Sequence, residues 1–257
     1  MEPKQASQEQ MLYHKMTESK ISRLIGRRSI PTIISMLTSA PHNTADTLFV
    51  SQLGTSASGA VGIVFSIMAI IQSVGFMLGM GAGSQISRLL GAQKTDEANT
   101  IGTSSLFAAL ICGGIITLTG FLFMEPLLKL LGSTPTILPY AKDYARYIFY
   151  GAPVMCGSYV LNNLLRAQGK ATFSMIGITA GGILNIILDP IFIFTFKLGI
   201  AGAAIATLLS QFISFILLLS VFLRGKSTLK LQPKYIARDL NVYGRIIQVG
   251  FPSFARQ

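Results

Sequence analysis

A chain of 257 residues with 51% apolar and only 12% charged residues, at a mean hydropathy of +0.56, is too apolar and too sparsely charged for a water-soluble domain. Its formal charge of +11 raises the question of nucleic acid. The cations, however, are strung along one side of a series of apolar runs, and that placement argues against nucleic-acid binding.

About 20 apolar residues are enough to cross a bilayer as a helix. Runs of that kind, with no charge or a single Asp, cover 29–87, 98–124, 147–165, 171–196 and 198–223. The first is long enough for two crossings, so six spans are expected. Of the 21 Lys and Arg, a cytoplasmic N-terminus puts only Lys129, Lys142, Arg146 and Lys197 on the outer side. Arg256 falls in the last helix, leaving sixteen inside. That asymmetry sets a cytoplasmic N-terminus, expected here for a multi-pass protein of a bacterial inner membrane.

In chain order, residues 1–26 read as a cytoplasmic tail, too polar for the apolar region of a signal peptide. The first span, 27–50, holds Pro31 and Pro41, which bend a helix by removing backbone donors. Thr32, Ser35, Ser39, His42 and Asp46 recur at spacings of three and four, one polar face on a bent helix. Asp46 is the only charge between Arg28 and Arg88. The second span, 60–84, ends in Gly75, Gly79, Gly81 and Gly83, which suit close helix packing; no Lys-Ser/Thr follows, so they do not form a phosphate loop.

Residues 84–97 read as an inner loop, 98–124 as the third span, and the stretch around Pro135 and Pro139 as an outer loop. The fourth span, 144–165, is kinked at Pro153, and its Asn162 and Asn163 can cap, pack or line a cavity. Cys112 and Cys156 lack metal-ligand spacing and read as small packing residues.

The fifth span, 172–196, aligns Ser174, Ile178, Gly181, Asn185 and Asp189 on one face, with Pro190 removing a donor beside Asp189. An ionisable residue within a membrane span marks an ion path or a substrate site by default. Carboxylate, amide and hydroxyl oxygens, together with carbonyls freed by proline, can hold a small cation. The sixth span, 199–223, lines up Thr207, Ser210 or Gln211, and Ser214, so Thr207 can add a hydroxyl. Residues 225–239 form a basic inner linker suited to anionic headgroups, and 240–257 begin a further helix whose Phe251-Pro252-Ser253 echoes Ile30-Pro31-Thr32.

Five stretches carry a resemblance to the multidrug and toxic compound extrusion (MATE) family, closest to its bacterial MepA-like and DinF-like members. They are Ala45-Asp46-Thr47-Leu48-Phe49-Val50, Ile86-Ser87-Arg88-Leu89-Leu90-Gly91-Ala92, Leu165-Arg166-Ala167-Gln168-Gly169, Asn185-Ile186-Ile187-Leu188-Asp189, and Gly199-Ile200-Ala201-Gly202-Ala203-Ala204-Ile205-Ala206-Thr207. The resemblance implies an all-α membrane protein: a six-helix lobe over 27–224, a linker over 225–239, and the start of a second lobe over 240–257. It implies export of amphipathic organic cations in exchange for Na⁺ or H⁺ by alternating access, with membrane lipid around it and a C-terminal lobe supplied in cis or trans. Asp46, Asn185, Asp189 and Thr207 match the coupling-cation site and would ligate Na⁺ if sodium is the ion. Pro31 matches the bending proline of the first helix, and no organic cofactor is implied.

Two carboxylates in one low-dielectric pocket do not both stay ionised cheaply, so a proton or a bound cation must neutralise the pair. His42, one turn from Asp46, is the candidate proton relay. A non-transporting remnant, or a lobe active only when paired with another chain, is the alternative reading. An intramembrane aspartyl protease is disfavoured, because Ile187-Leu188-Asp189-Pro190 lacks the Gly-x-Gly-Asp pattern of that class. No enzymatic constellation is present in the sequence.

Overall fold

The computed structural model describes residue 33 and residues 47–257. Pro31, Pro41, His42, Asp46 and the 1–26 tail lie outside the described residues. Those described form helices α1 (Thr55–Gly91), α2 (Thr95–Leu122), α3 (Met124–Leu130), α4 (Leu138–Ala167), α5 (Ala171–Pro190), α6 (Gly199–Leu223) and α7 (Leu240–Ala255). A π-helical turn, Ile191–Thr195, follows α5, and a single 3-10 turn, Pro233–Tyr235, sits in the segment between α6 and α7.

Among the described residues, four helices are long and apolar enough to cross a membrane: Thr55–Gly91, Thr95–Leu122, Ala171–Thr195 and Gly199–Leu223. They correspond to the second, third, fifth and sixth expected spans. The fourth expected span also forms a helix but is not among those four. The reason is its position: α4 packs against α1, α2, α5 and α6, so its neighbours shield it and it can carry Asn162, Asn163 and Arg166 at its end. Tyr144, Phe149, Leu161, Leu164 and Leu165 on it are fully buried.

The proline in α4 is compensated across the interface. Pro153 lies inside the helix and has no N–H to give the Phe149 carbonyl, four residues back. Thr117 Oγ1 of α2 approaches that carbonyl at 2.6 Å and its own Gly113 carbonyl at 3.0 Å. The approach needs Gly113, where a Cβ would collide with the Pro153 backbone.

The expected loop over 84–97 is corrected by the structure. Helix α1 continues to Gly91 and only a short turn separates it from α2. At 37 residues and about 1.5 Å per residue, α1 outruns a hydrocarbon core of about 30 Å, so Arg88 rides in its last turn beyond the apolar zone. There the positive side chain favours the helix C-terminus. Short helix α3 occupies the start of the connection expected to be loop, its Glu125 bridged to Lys129 at 2.7 Å and to Lys142 at 2.6 Å.

The expected polar asparagines serve packing. Asn162 Nδ2 donates to the Ser174 carbonyl of α5 (3.2 Å) and Asn163 Nδ2 to the Tyr159 carbonyl (2.8 Å). Cys112 and Cys156 are free thiols, with Cys156 buried in the core.

The segment after α6 is strapped to the bundle. Buried Gln168 accepts at Oε1 from Ser227 Oγ (2.7 Å) and Thr228 N (2.8 Å). Lys230 N donates to Asn99 Oδ1 and Ala237 N to Ser104 Oγ, both at 2.8 Å. Leu229 is fully buried, whereas Lys226, Lys230, Lys234 and Arg238 remain exposed. Beyond the strap, α7 crosses α1 backbone to backbone: a Cβ on Gly250 would fall on the Met77 carbonyl, and one on Gly81 on the Ile246 carbonyl.

Candidate functional site

Helices α5 and α6 run antiparallel and meet through small residues. A Cβ on Gly181 would come within 3.0 Å of Ser214 Cβ and 3.4 Å of the Ser210 carbonyl, and one on Gly202 within 2.6 Å of the Phe192 carbonyl. Ser214 Oγ donates to the Gly177 carbonyl at 2.8 Å. The buried residues of α5 are Ser174, Gly177, Gly181, Asn185 and Asp189. The expected face is thus present except that Gly177 replaces Ile178, because Leu218 of α6 fills the space a side chain at 177 would need.

Within this seam the structure brings together three of the sequence-derived site residues. Asn185 and Asp189 are 0% exposed and Thr207 2%. The Asn185 amide donates from Nδ2 to Asp189 Oδ1 and to Thr207 Oγ1, each at 3.2 Å. The fourth expected member, Asp46, lies outside the described residues, as do Pro31, Pro41 and His42; the described chain resumes at Thr47.

Asp189 reaches this position because α5 runs through Pro190 and then widens into the π turn at Ile191–Thr195. Proline gives up a donor there, and π turns recur at functional sites. A carboxylate buried among helices with an amide and a hydroxyl as partners is an arrangement of oxygens and polar hydrogens, with no thiolate or imidazole among the three. Oxygens ringing a small hard cation at about 2.4 Å stand roughly 3 Å apart. The 3.2 Å spacings of the Asn185 amide to Asp189 and Thr207 are therefore of the right size once an amide oxygen stands where the nitrogen does.

On the same seam, Asn185 Oδ1 and Ser210 Oγ are buried without a hydrogen-bond partner among the described residues. Spacing along α6 offers Ser210 only as an alternative to Gln211 for a polar face. Its burial, 2% exposed, is what sets it apart from the partly exposed Gln211.

Helices of this length and apolarity, packed around a carboxylate–amide–hydroxyl cluster, define a multi-pass membrane protein. A family model described as MatE matches residues 31–191, and the chain belongs to the MATE family, a family of transporters rather than enzymes. It is 31% identical over 247 residues to the multidrug export protein MepA of Staphylococcus saprophyticus, covering 96% of this chain and 54% of the relative. It is 35% identical over 205 residues to an FAD transporter of Shewanella oneidensis, covering 78% of this chain and 45% of the relative. The crystal structure of a MATE protein in the bent conformation superposes with a TM-score of 0.87 at 32% identity, over 96% of this chain and 54% of that one. The chain spans about half the length of the relatives it matches.

Proposed function

We propose that this chain is the N-terminal lobe of a cation-coupled multidrug antiporter that exports amphipathic organic cations by alternating access, acting with a second lobe in cis or in trans. The observation that carries this reading is Asp189, wholly buried in a membrane helix and joined through Asn185 to Thr207. With Asp46 from the first helix, these residues form the coupling site for Na⁺ or H⁺. Ion binding there redraws the hydrogen bonds between α5, α6 and the first helix, and a ligand shifts a conformational equilibrium by its differential affinity for the two states. Pro31 and Pro41 let the first helix follow that change. Residues 27–224 make the lobe, 225–239 the linker, and 240–257 open the second lobe. The strap end of the bundle, with exposed Lys226, Lys230, Lys234 and Arg238, faces the cytoplasm.

The test is Asp189→Asn placed in the native gene, with ethidium accumulation read in energised cells and the membrane level of the protein read by immunoblot. Export should be lost at an unchanged protein level. Normal export by Asp189→Asn refutes the site. The similarity to an FAD transporter favours one second reading, export of an anionic flavin dinucleotide. Extracellular flavin measured in the same strains separates the two substrates.

A further inference from the structure

The strap between α6 and α7 has two sides of opposite character. Its inward side is fixed to the bundle: Leu229 is buried and Leu231 partly buried, both against Gly102 of α2, where a Cβ would meet them at 3.3 and 3.6 Å. The amides of Thr228, Lys230 and Ala237 are bonded to Gln168, Asn99 and Ser104. Its outward side carries Lys226, Lys230, Lys234 and Arg238, spaced every fourth residue and all exposed. A backbone held at those amides also holds the roots of these four cations in place.

The acidic residues of this end are engaged elsewhere. Among the described residues they are Asp96, Glu97 and Asp239. Asp96 accepts from the Tyr235 hydroxyl at 3.3 Å, Glu97 bridges Lys94 at 2.9 Å, and Asp239 caps α7 by accepting from the Asn241 amide at 2.9 Å. No salt bridge among the described residues reaches a strap cation. Arg88 and Arg224, exposed at the same end, add to the positive field. The level also fits a membrane surface. At about 55 Å, the 37-residue α1 exceeds the hydrocarbon core by about 25 Å, shared between its two ends. A short turn joins it to α2, and the strap bonds α2 at Asn99 and Ser104, within the first turns of that helix. The strap therefore lies at the depth of the headgroups, not of the acyl chains.

We infer that the outward side of the strap is a docking surface for anionic phospholipid headgroups of the cytoplasmic leaflet, and that their binding holds the strap down on the bundle. This goes beyond the transport reading and rests on the orientation given there. An anionic headgroup supplies the negative charge that the strap cations lack, whereas a zwitterionic one brings an ammonium of its own. Each Lys or Arg near an anionic surface strengthens the attraction about fivefold. A lifted strap keeps its cations but not their common face, so headgroups bind the docked form better and stabilise it by mass action. Because α7 follows the strap directly, the anionic lipid content of the membrane sets how firmly α7 is held.

The test is hydrogen/deuterium exchange with mass spectrometry on the 257-residue chain. The chain is placed in nanodiscs of phosphatidylcholine, alone or with about a third of the lipid replaced by phosphatidylglycerol. The bonded strap amides exchange when the strap opens. Phosphatidylglycerol should slow them about tenfold and leave the peptide over α3, at the other end of the bundle, unchanged. Added NaCl should abolish the slowing by screening. In phosphatidylcholine, Lys226→Gln/Lys230→Gln/Arg238→Gln should exchange like the unsubstituted chain, and phosphatidylglycerol should slow it no more than about twofold. Lys234 is kept because it lies over the Tyr235 ring at 4.8 Å. The docking surface is overturned if phosphatidylglycerol leaves the unsubstituted strap unslowed, slows the triple variant equally, or slows the α3 peptide to the same extent. It is also overturned if the slowing survives salt. Equal slowing by inorganic phosphate in phosphatidylcholine discs overturns the lipid in favour of a free anion. Orientation is read separately, with Lys234→Cys in a Cys112→Ala/Cys156→Ala chain and a membrane-impermeant maleimide. Labelling only in opened cells supports the cytoplasmic leaflet; labelling in intact cells overturns that orientation and moves the lipid surface to the outer leaflet.

Discussion

Replacing Thr117 by valine removes one hydroxyl and keeps the side-chain shape, and its effect should depend on a residue in another helix. Thr117 Oγ1 lies 2.6 Å from the Phe149 carbonyl, which Pro153 leaves without its helical donor. Between membrane helices such a bond contributes about 0.6 kcal/mol on average and up to about 1.7 kcal/mol. The short distance and the missing alternative donor place this one toward the upper part of that range, about 1 kcal/mol. In a Pro153→Ala background the amide proton returns and the Phe149 carbonyl is served within α4, so Thr117→Val should then cost only a few tenths, about 0.3 kcal/mol at most. The double-mutant cycle should show a coupling of about 0.7 kcal/mol or slightly more. Far-UV circular dichroism during SDS-driven unfolding in mixed micelles measures all four proteins. Equal costs of Thr117→Val in both backgrounds would refute the compensation.

Gly250→Ala should separate α7 from α1, because its methyl group meets the Met77 carbonyl and backbone cannot yield as a side chain can; overpacking of this kind costs about 1–3 kcal/mol, read as a lower unfolding midpoint, whereas Gly244→Ala, with open space around it, should be neutral or stabilising. Glu125, hydrogen-bonded to Lys129 and Lys142, has its carboxyl held down to about 2 from an ordinary 4.5. A lowered folded-state value stabilises above the unfolded value and the gain fades as pH falls from about 4.5 through about 2. The difference in midpoint between Glu125→Gln and the unsubstituted chain should accordingly be flat from pH 5 to 8, shrink in acid, and weaken with added salt, since the group is exposed.

Much of the bundle was legible because glycine and charge punctuate apolar runs. Helix α6 begins at Gly199 and ends at Leu223 as the run itself does, with Gly199 at a φ of +57° making a turn that other residues adopt at a cost. Where reading by charge failed, the cause was geometric. Arg88 looked like loop because a charge does not belong in hydrocarbon, but a helix longer than the bilayer carries its charges past it. The low apolarity of α4 concealed that it sits at the middle of the bundle, since burial among helices and burial in lipid make different demands on composition.

At the site, Asn185, Asp189 and Thr207 were found from spacing because a carboxylate in an apolar run stands out. Ser210 could not be separated from Gln211, since the choice turns on where α6 faces α5. The strap was unreadable for a related reason. Gln168 sits in a short turn and its partners, Ser227 and Thr228, are in no periodic pattern; only the folded chain brings them to one oxygen.

A free tether of about 15 residues would let the helices it joins drift apart by roughly 20 Å. With its amides hooked to Gln168, Asn99 and Ser104, the segment ahead of α7 has no such slack, and α7 leaves the bundle like a beam clamped at one end. The clamp then continues up to the crossing of Gly81 and Gly250. Torque applied to the chain beyond that crossing is not absorbed in the linker: it either pries two backbones apart at one fulcrum or bends α7 at Pro252, two residues further on.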